Sequence, residues 1–181
     1  MSESLVPESV PHAERDEDME SPSVALLQHV LLHHADAAAH RARQKMGGVL
    51  SGETLAVFLN DPECLRYPTE IVFDDTDLEP HQFAQPFLVE EEGSRRCILR
   101  VRPRYAACPE VLPYFVAYMA AVINYGDAAW ADLCEIYGAT LLGLDQETFY
   151  RRLCHCVDHG MPPDTEGAGS GGCCCGGGLC G

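Results

Sequence analysis

The spacing of apolar residues changes twice along this chain, and this change constrains the fold more than any other feature. On both sides of residues 69–102, apolar positions repeat with the 3.6-residue period of an α-helix. Within that segment the period falls to two, and short β-rich runs are bounded by proline, glycine and aspartate. Strands grouped between groups of helices are typical of α+β folds. We therefore predict one mostly helical α+β domain over residues 22–160.

Three short segments account for the predicted strands. The first covers residues 69–73, and two more cover residues 83–90 and 95–102, joined by a hairpin turn at residues 92–94. The third segment alternates apolar and polar side chains, so one face of the sheet should be exposed to solvent. Pro86 cannot donate a ladder hydrogen bond, which favours an edge position for its strand. The prediction is a small three-stranded antiparallel meander.

Helices should surround this sheet. Their predicted spans are 22–46, 52–60, 109–124, a segment that Asp127 caps and Gly143 ends, and 146–159. On the first helix the predicted buried stripe is Val24, Leu27, Leu31, Ala35 and Ala38. The opposite face carries His29, His33, Asp36 and His40. An i, i+4 histidine pair has metal-ligand spacing, so His29 and His33 are candidate ligands.

Charge and composition exclude several classes of partner. The 28 acidic and 12 basic side chains give a formal net charge of −16. This balance disfavours binding to nucleic acid and to anionic membranes. No apolar run is long enough for a transmembrane helix, and residues 1–21 have the composition of a disordered acidic arm rather than of a signal peptide. We expect a cytoplasmic protein whose 10 cysteines stay reduced or bind metal.

The last residues are the most distinctive chemically. A flexible Gly/Cys-rich tail is predicted over residues 161–181, and it contains Cys173, Cys174, Cys175 and Cys180. Glycine neighbours give these thiols no apolar surface to pack against. Thiolates are soft ligands that suit Zn(II) and Cu(I). Three adjacent cysteines do not have zinc-finger spacing, so an adaptable soft-metal site is favoured over a rigid structural one.

A second group with metal-ligand spacing precedes the tail. In the sequence Cys154-His155-Cys156-x-x-His159, the two histidines are one helical turn apart, and Cys156 and His159 are three residues apart. Cys154, Cys156 and His159 are therefore candidate helpers for the tail thiolates. The alternative interpretation is that Cys156 belongs to the core and that the histidines lie on the surface.

No catalytic motif is recognisable in the sequence. There is no P-loop, no nucleophile elbow and no H-E-x-x-H. Residues 167–172 match G-x-G-x-x-G, but no strand precedes them and no helix follows. Residues 135–139 resemble the second ligand segment of small zinc metallopeptidases, but residues 114–118 lack the histidines that this chemistry requires. We predict that the protein is not an enzyme.

The favoured function is that of a non-catalytic accessory protein that binds, stores or delivers a soft metal ion, Zn or Cu(I), and has a protein partner. Two alternatives remain open. A Gly/Ser/Cys-rich end behind an acidic leader resembles ribosomally made precursor peptides, which implies a tail that a partner enzyme modifies. In the third interpretation, the chain is an adaptor and its tail is incidental. The sequence indicates no oligomeric state.

Overall fold

A computed structural model describes residues 23–91 and 93–163, so the predicted acidic arm and nearly all of the predicted tail lie outside the described residues. Helices and strands are both present, as predicted for an α+β fold. The elements, in chain order, are α1 (Val24–Lys45), α2 (Gly52–Asn60), β1 (Thr69–Phe73), β2 (Ala84–Glu91), β3 (Ser94–Val101), α3 (Leu112–Tyr125), α4 (Ala131–Leu142) and α5 (Gln146–His159).

Local capping signals fix several of these bounds. Before α2, the backbone N–H of Thr54 donates to the Ser51 hydroxyl at 3.4 Å, and that of Ser51 donates to the Thr54 hydroxyl at 2.9 Å. Before α5, the Asp145 carboxylate accepts a hydrogen bond from the Thr148 backbone N–H at 2.9 Å. Gly160 ends α5 at φ +69°, a conformation that glycine adopts without a Cβ clash. The predicted bounds of α2 and α5 are confirmed.

The sheet is mixed, and the predicted antiparallel meander is wrong. Strands β2 and β3 form the expected hairpin, with Glu91 opposite Ser94. Strand β1, however, pairs in parallel with β3 and not with β2, so the strand order is β1-β3-β2. The hairpin occupies one side of β3 and leaves the other side free, and β1 takes that free side. Pro86 lies in β2, an edge strand, as predicted.

The hydrophobic core lies between the sheet and the helices. Helix α3 runs through it, and Phe115, Val116 and Ala120 are all completely buried. One face of β3 meets this core, with Cys97, Leu99 and Val101 fully buried. Helix α4 packs against α3 on one side and against α1 on the other, and α5 packs against α4. Helix α3 is therefore covered on most of its circumference, as its apolar sequence predicts.

Helix α1 buries the predicted stripe only in its second half, where Ala35 is buried and Leu31 and Ala38 are half-buried against the core. Its buried residues are Ala35, Ala39 and Ala42, whereas Val24 is 72 % exposed and Leu27 is 54 % exposed. Small side chains let α1 and α4 approach closely, so packing occurs at the alanines in the second half of the helix. Every residue from 24 to 30 is exposed, including the larger apolar residues of the first two turns, whereas Leu31 and Leu32 are half-buried.

Helix α4 starts later than predicted. Asp127 lies in a short 3₁₀ turn at residues 126–128, and the helix begins at Ala131 after Trp130, whose backbone is extended.

Among the described residues, none of the helices combines the length and the apolarity that crossing a membrane requires.

Candidate functional site

The principal predicted ligands are outside the part of the chain that the structure describes. Cys173, Cys174, Cys175 and Cys180 all follow Pro163, the last described residue. Their role as ligands stays a prediction. What the structure does describe is the end of α5, from which the chain continues towards them.

The six described cysteines are free thiols, and most of them serve packing. The four buried ones are Cys64, Cys97, Cys134 and Cys156. Burial raises the pKa of the first three thiols to about 11 and that of the Cys156 thiol to about 12. A thiol that stays protonated in an apolar site is a poor nucleophile and a poor metal ligand. Only Cys108 and Cys154, among the described cysteines, are partly open to solvent.

The predicted helper residues on α5 do not meet at one point. Cys156 is completely buried with Phe149 and Leu153 on the core side of the helix. As placed, Cys156 would have to leave the core before it could bind a metal ion. Cys154 is half-buried, and its contact with the Tyr150 hydroxyl is the main cause that raises the pKa of that tyrosine. His159 is exposed, and its ring lies 4.4 Å from the ring of His155, measured between centroids.

The fold brings one further thiol to the end of α5. A Cβ placed on Gly160 would lie 3.8 Å from the Cys108 sulfur, so this half-buried thiol sits beside the helix end. The contact is anchored by the Tyr105 hydroxyl, which donates to the Val157 carbonyl at 2.7 Å. Cys108 is not among the predicted ligands, because no spacing rule relates it to residues of α5.

On α1 the predicted histidine pair is formed. The Nε2 atoms of His29 and His33 lie 3.1 Å apart, and both residues are exposed. Asp36 on the same face does not join them, because its carboxylate accepts a hydrogen bond from the Thr140 hydroxyl of α4 at 2.5 Å. His40 is exposed one turn further along.

Over residues 23–91 and 93–163, no group of three or more histidine, cysteine, aspartate or glutamate side chains is arranged to hold a metal ion. Of the predicted ligands in this region, His29 and His33 form a close pair, and His159 lies beside His155, which is not itself a predicted ligand.

A cleft runs between β2 and α3. One part has a volume of about 350 Å³ and is lined by Pro86, Tyr118, Met119 and Val122, among others. A neighbouring part of about 290 Å³ shares Pro86 and Val122 and extends to Leu88, which is 60 % exposed. Burial raises the pKa of the Tyr118 hydroxyl to about 12, so it stays a neutral hydrogen-bonding group. The lining is mostly apolar, with polar residues such as Gln85, and it lies along an edge strand.

The outer face of the sheet carries paired charges. Arg96 bridges Glu70 at 3.1 Å and Glu91 at 3.0 Å, and the Glu91 pKa is lowered chiefly by its hydrogen bond from Arg96. Arg100 pairs with Asp74 and Asp77. These cations are neutralised by neighbouring carboxylates and do not form an uncompensated basic surface.

Comparison of the chain with models of protein families, with curated proteins and with solved structures found no match.

Proposed function

We propose that the protein is a non-catalytic accessory protein of the reducing cytosol that binds and delivers a soft metal ion, Cu(I) or Zn(II), through Cys173, Cys174, Cys175 and Cys180. The observation that carries the proposal is a contrast between two sets of cysteines. Cysteines of the described domain mostly fill its core, whereas the four terminal ones lie among glycines in the sequence. Packing accounts for the first set and offers no explanation for the second.

The end of α5 supports the proposal, because it places further donors where the chain continues towards the tail. Cys108 lies beside Gly160, and the imidazoles of His155 and His159 lie one turn apart on the last part of the helix. Thiolates of the Gly/Cys-rich segment would complete their coordination with donors from this end of the domain. All six described thiols are free, which fits a reducing compartment.

The test compares the full-length protein with a full-length variant in which the four tail cysteines are replaced by serine. Cu(I) uptake is measured against a competing chromophoric Cu(I) chelator under anaerobic conditions, and Zn(II) uptake by the metal content of the dialysed protein. We expect metal uptake in the parent and loss of it in the variant. C154S is the matched control, because it removes a half-buried thiol outside the tail and should leave most of the uptake intact.

Equal uptake by the parent and the four-serine variant would refute the proposal. The intact mass of protein from the native host tests the precursor-peptide alternative in the same preparation. A mass that equals the sequence mass retains the metal-binding proposal. A loss of water or hydrogen that maps to residues 173–180 would replace it, because it would mark the tail as a substrate for modification.

A second candidate function, that of an adaptor, is favoured by the cleft between β2 and α3. An edge strand beside an apolar groove suits an extended peptide that adds a strand and inserts alternate apolar side chains. Selection from a displayed library of random peptides should then yield sequences with apolar residues at every second position. L88E places a charge at an exposed position of the cleft and should abolish this capture without unfolding the protein.

A further inference from the structure

Two histidine pairs with the same i, i+4 spacing, one on α1 and one on α5, differ in the geometry of their rings. On α1 the rings of His29 and His33 are 4.4 Å apart between centroids, and on α5 those of His155 and His159 are also 4.4 Å apart. The ring planes are inclined by 84° on α1 and by 54° on α5. Only on α1, of these two described pairs, do ring nitrogens come within hydrogen-bonding distance, with the two Nε2 atoms 3.1 Å apart.

We propose that His29 and His33 form a two-imidazole site for a borderline divalent cation of the zinc class. Zinc binds imidazole nitrogen at about 2.0–2.1 Å in tetrahedral geometry, which places two such nitrogens about 3.3 Å apart. The observed Nε2 separation of 3.1 Å is within about 0.2 Å of that value. Imidazole suits Zn(II), Cu(II) and Ni(II), whereas Cu(I) prefers thiolate. This site therefore takes Zn(II), which the proposed tail site also takes, but it does not suit the Cu(I) that thiolates bind.

The site needs no rearrangement of the backbone. Both histidines are exposed, so an ion reaches them directly from solvent. Without metal, one Nε2 carries a proton and donates it to the lone pair of the other. When the ion binds, both Nε2 lone pairs are used, and the ring that was the donor carries its proton on Nδ1 instead.

Two protein ligands leave two positions of a tetrahedral ion open. Asp36 does not fill either position, because it is held by the Thr140 hydroxyl. Water or a donor from an incoming molecule occupies the open positions, so the ion can exchange. A site of this kind acquires and releases metal, in contrast to a closed four-ligand structural site.

The experiment uses the full-length protein with the four tail cysteines replaced by serine, so that thiolates do not compete. Zn(II) is added while imidazole nitrogens are followed by long-range ¹H–¹⁵N NMR. Saturation should move the Nε2 signals of His29 and His33 together and leave both rings protonated on Nδ1. Removal of a residue that only hydrogen-bonds to a ligand typically lowers metal affinity by about 10–100-fold. H33A removes one of the two ligands themselves, so it should lower the Zn(II) affinity by at least about tenfold.

Two variants separate this chelate from nonspecific binding to histidine. H155A/H159A removes the other pair and should leave the affinity at His29 and His33 unchanged. H29A/A37H moves the pair one turn along α1, to His33 and an exposed position, and should restore binding that H29A alone loses. The proposal is overturned if Zn(II) shifts all exposed histidines equally, or if H33A binds as tightly as the parent. Because the tail thiols are absent in every variant, these outcomes are independent of the proposed function.

Discussion

The core position of Cys156 makes a quantitative prediction about thiol reactivity. Alkylation by iodoacetamide proceeds through the thiolate, so its rate follows the ionised fraction. At pH 8 an ordinary thiol with a pKa of about 8.5 is roughly a quarter ionised. With a pKa of about 12, the Cys156 thiol is ionised in only about one molecule in ten thousand. Its reaction in the folded protein should therefore be slower by about two-thousandfold, before steric protection by burial is added.

The assay is alkylation of the folded four-serine variant at pH 8, with each site quantified by mass spectrometry over time. Cys108 and Cys154 are partly open to solvent and should be modified first. Cys64 has a pKa of about 11 and should lag by about two-hundredfold. In denaturant, all six thiols should react at similar rates. The reasoning fails if Cys156 in the folded protein is alkylated as quickly as Cys154.

Three further predictions concern stability. The buried thiols and Tyr137 have pKa values raised by burial, so the folded state holds their protons longer than the unfolded state does. Their contribution to the free energy of unfolding is complete below about pH 8.5 and is lost as the pH rises towards about 11 and beyond. In urea denaturation at increasing pH, the unfolding midpoint should therefore fall. In G138A the added Cβ would lie 2.3 Å from Cζ of the buried Phe149, which should cost about 1–3 kcal/mol. This steric cost should outweigh the gain of about 1 kcal/mol in helix propensity, so the variant should be less stable than the parent. G52A, with nothing within 4 Å of its Cβ, is the matched control and should be neutral or stabilising. N124L should cost about 1–3 kcal/mol in the same assay, since it removes the 3.0 Å hydrogen bond from the Asn124 amide to the Cys64 carbonyl and the side-chain oxygen that accepts from the Arg66 backbone N–H at 2.8 Å.

Local signals in the sequence were sufficient for the parts of the fold that local interactions decide. Ser51 and Asp145 predicted the starts of α2 and α5, because a capping side chain bonds to backbone only three residues away. Strand spans and the hairpin turn followed for the same reason. Pro86 indicated an edge strand, since its missing N–H is a property of the residue itself.

Nonlocal packing determines the features of the fold that the sequence did not predict correctly. The partner of β1 depends on which side of β3 is free, and the sequence of β1 contains no signal for this. On α1 the predicted stripe is wrong at Val24 and Leu27, because close contact with α4 buries alanines such as Ala39 instead. The approach of Cys108 to Gly160 likewise comes from the packing of α5. The candidate ligands could be named from spacing, but spacing did not distinguish the exposed His29 from the buried Cys156.

The parallel pairing of β1 with β3 sets an order of events in folding. When β1 has been synthesised, its partner does not yet exist, so Ile71 can lie opposite Leu99 only after β3 has followed it along the chain, whereas β2 and β3 are joined by a tight turn. Closing the hairpin is a local step, whereas docking β1 closes a much longer loop and comes later. Mutations at Ile71 should therefore mainly speed unfolding, and mutations at Leu99 should slow folding. Until β1 docks, the unpaired side of β3 is an open edge that can pair with a strand of another chain.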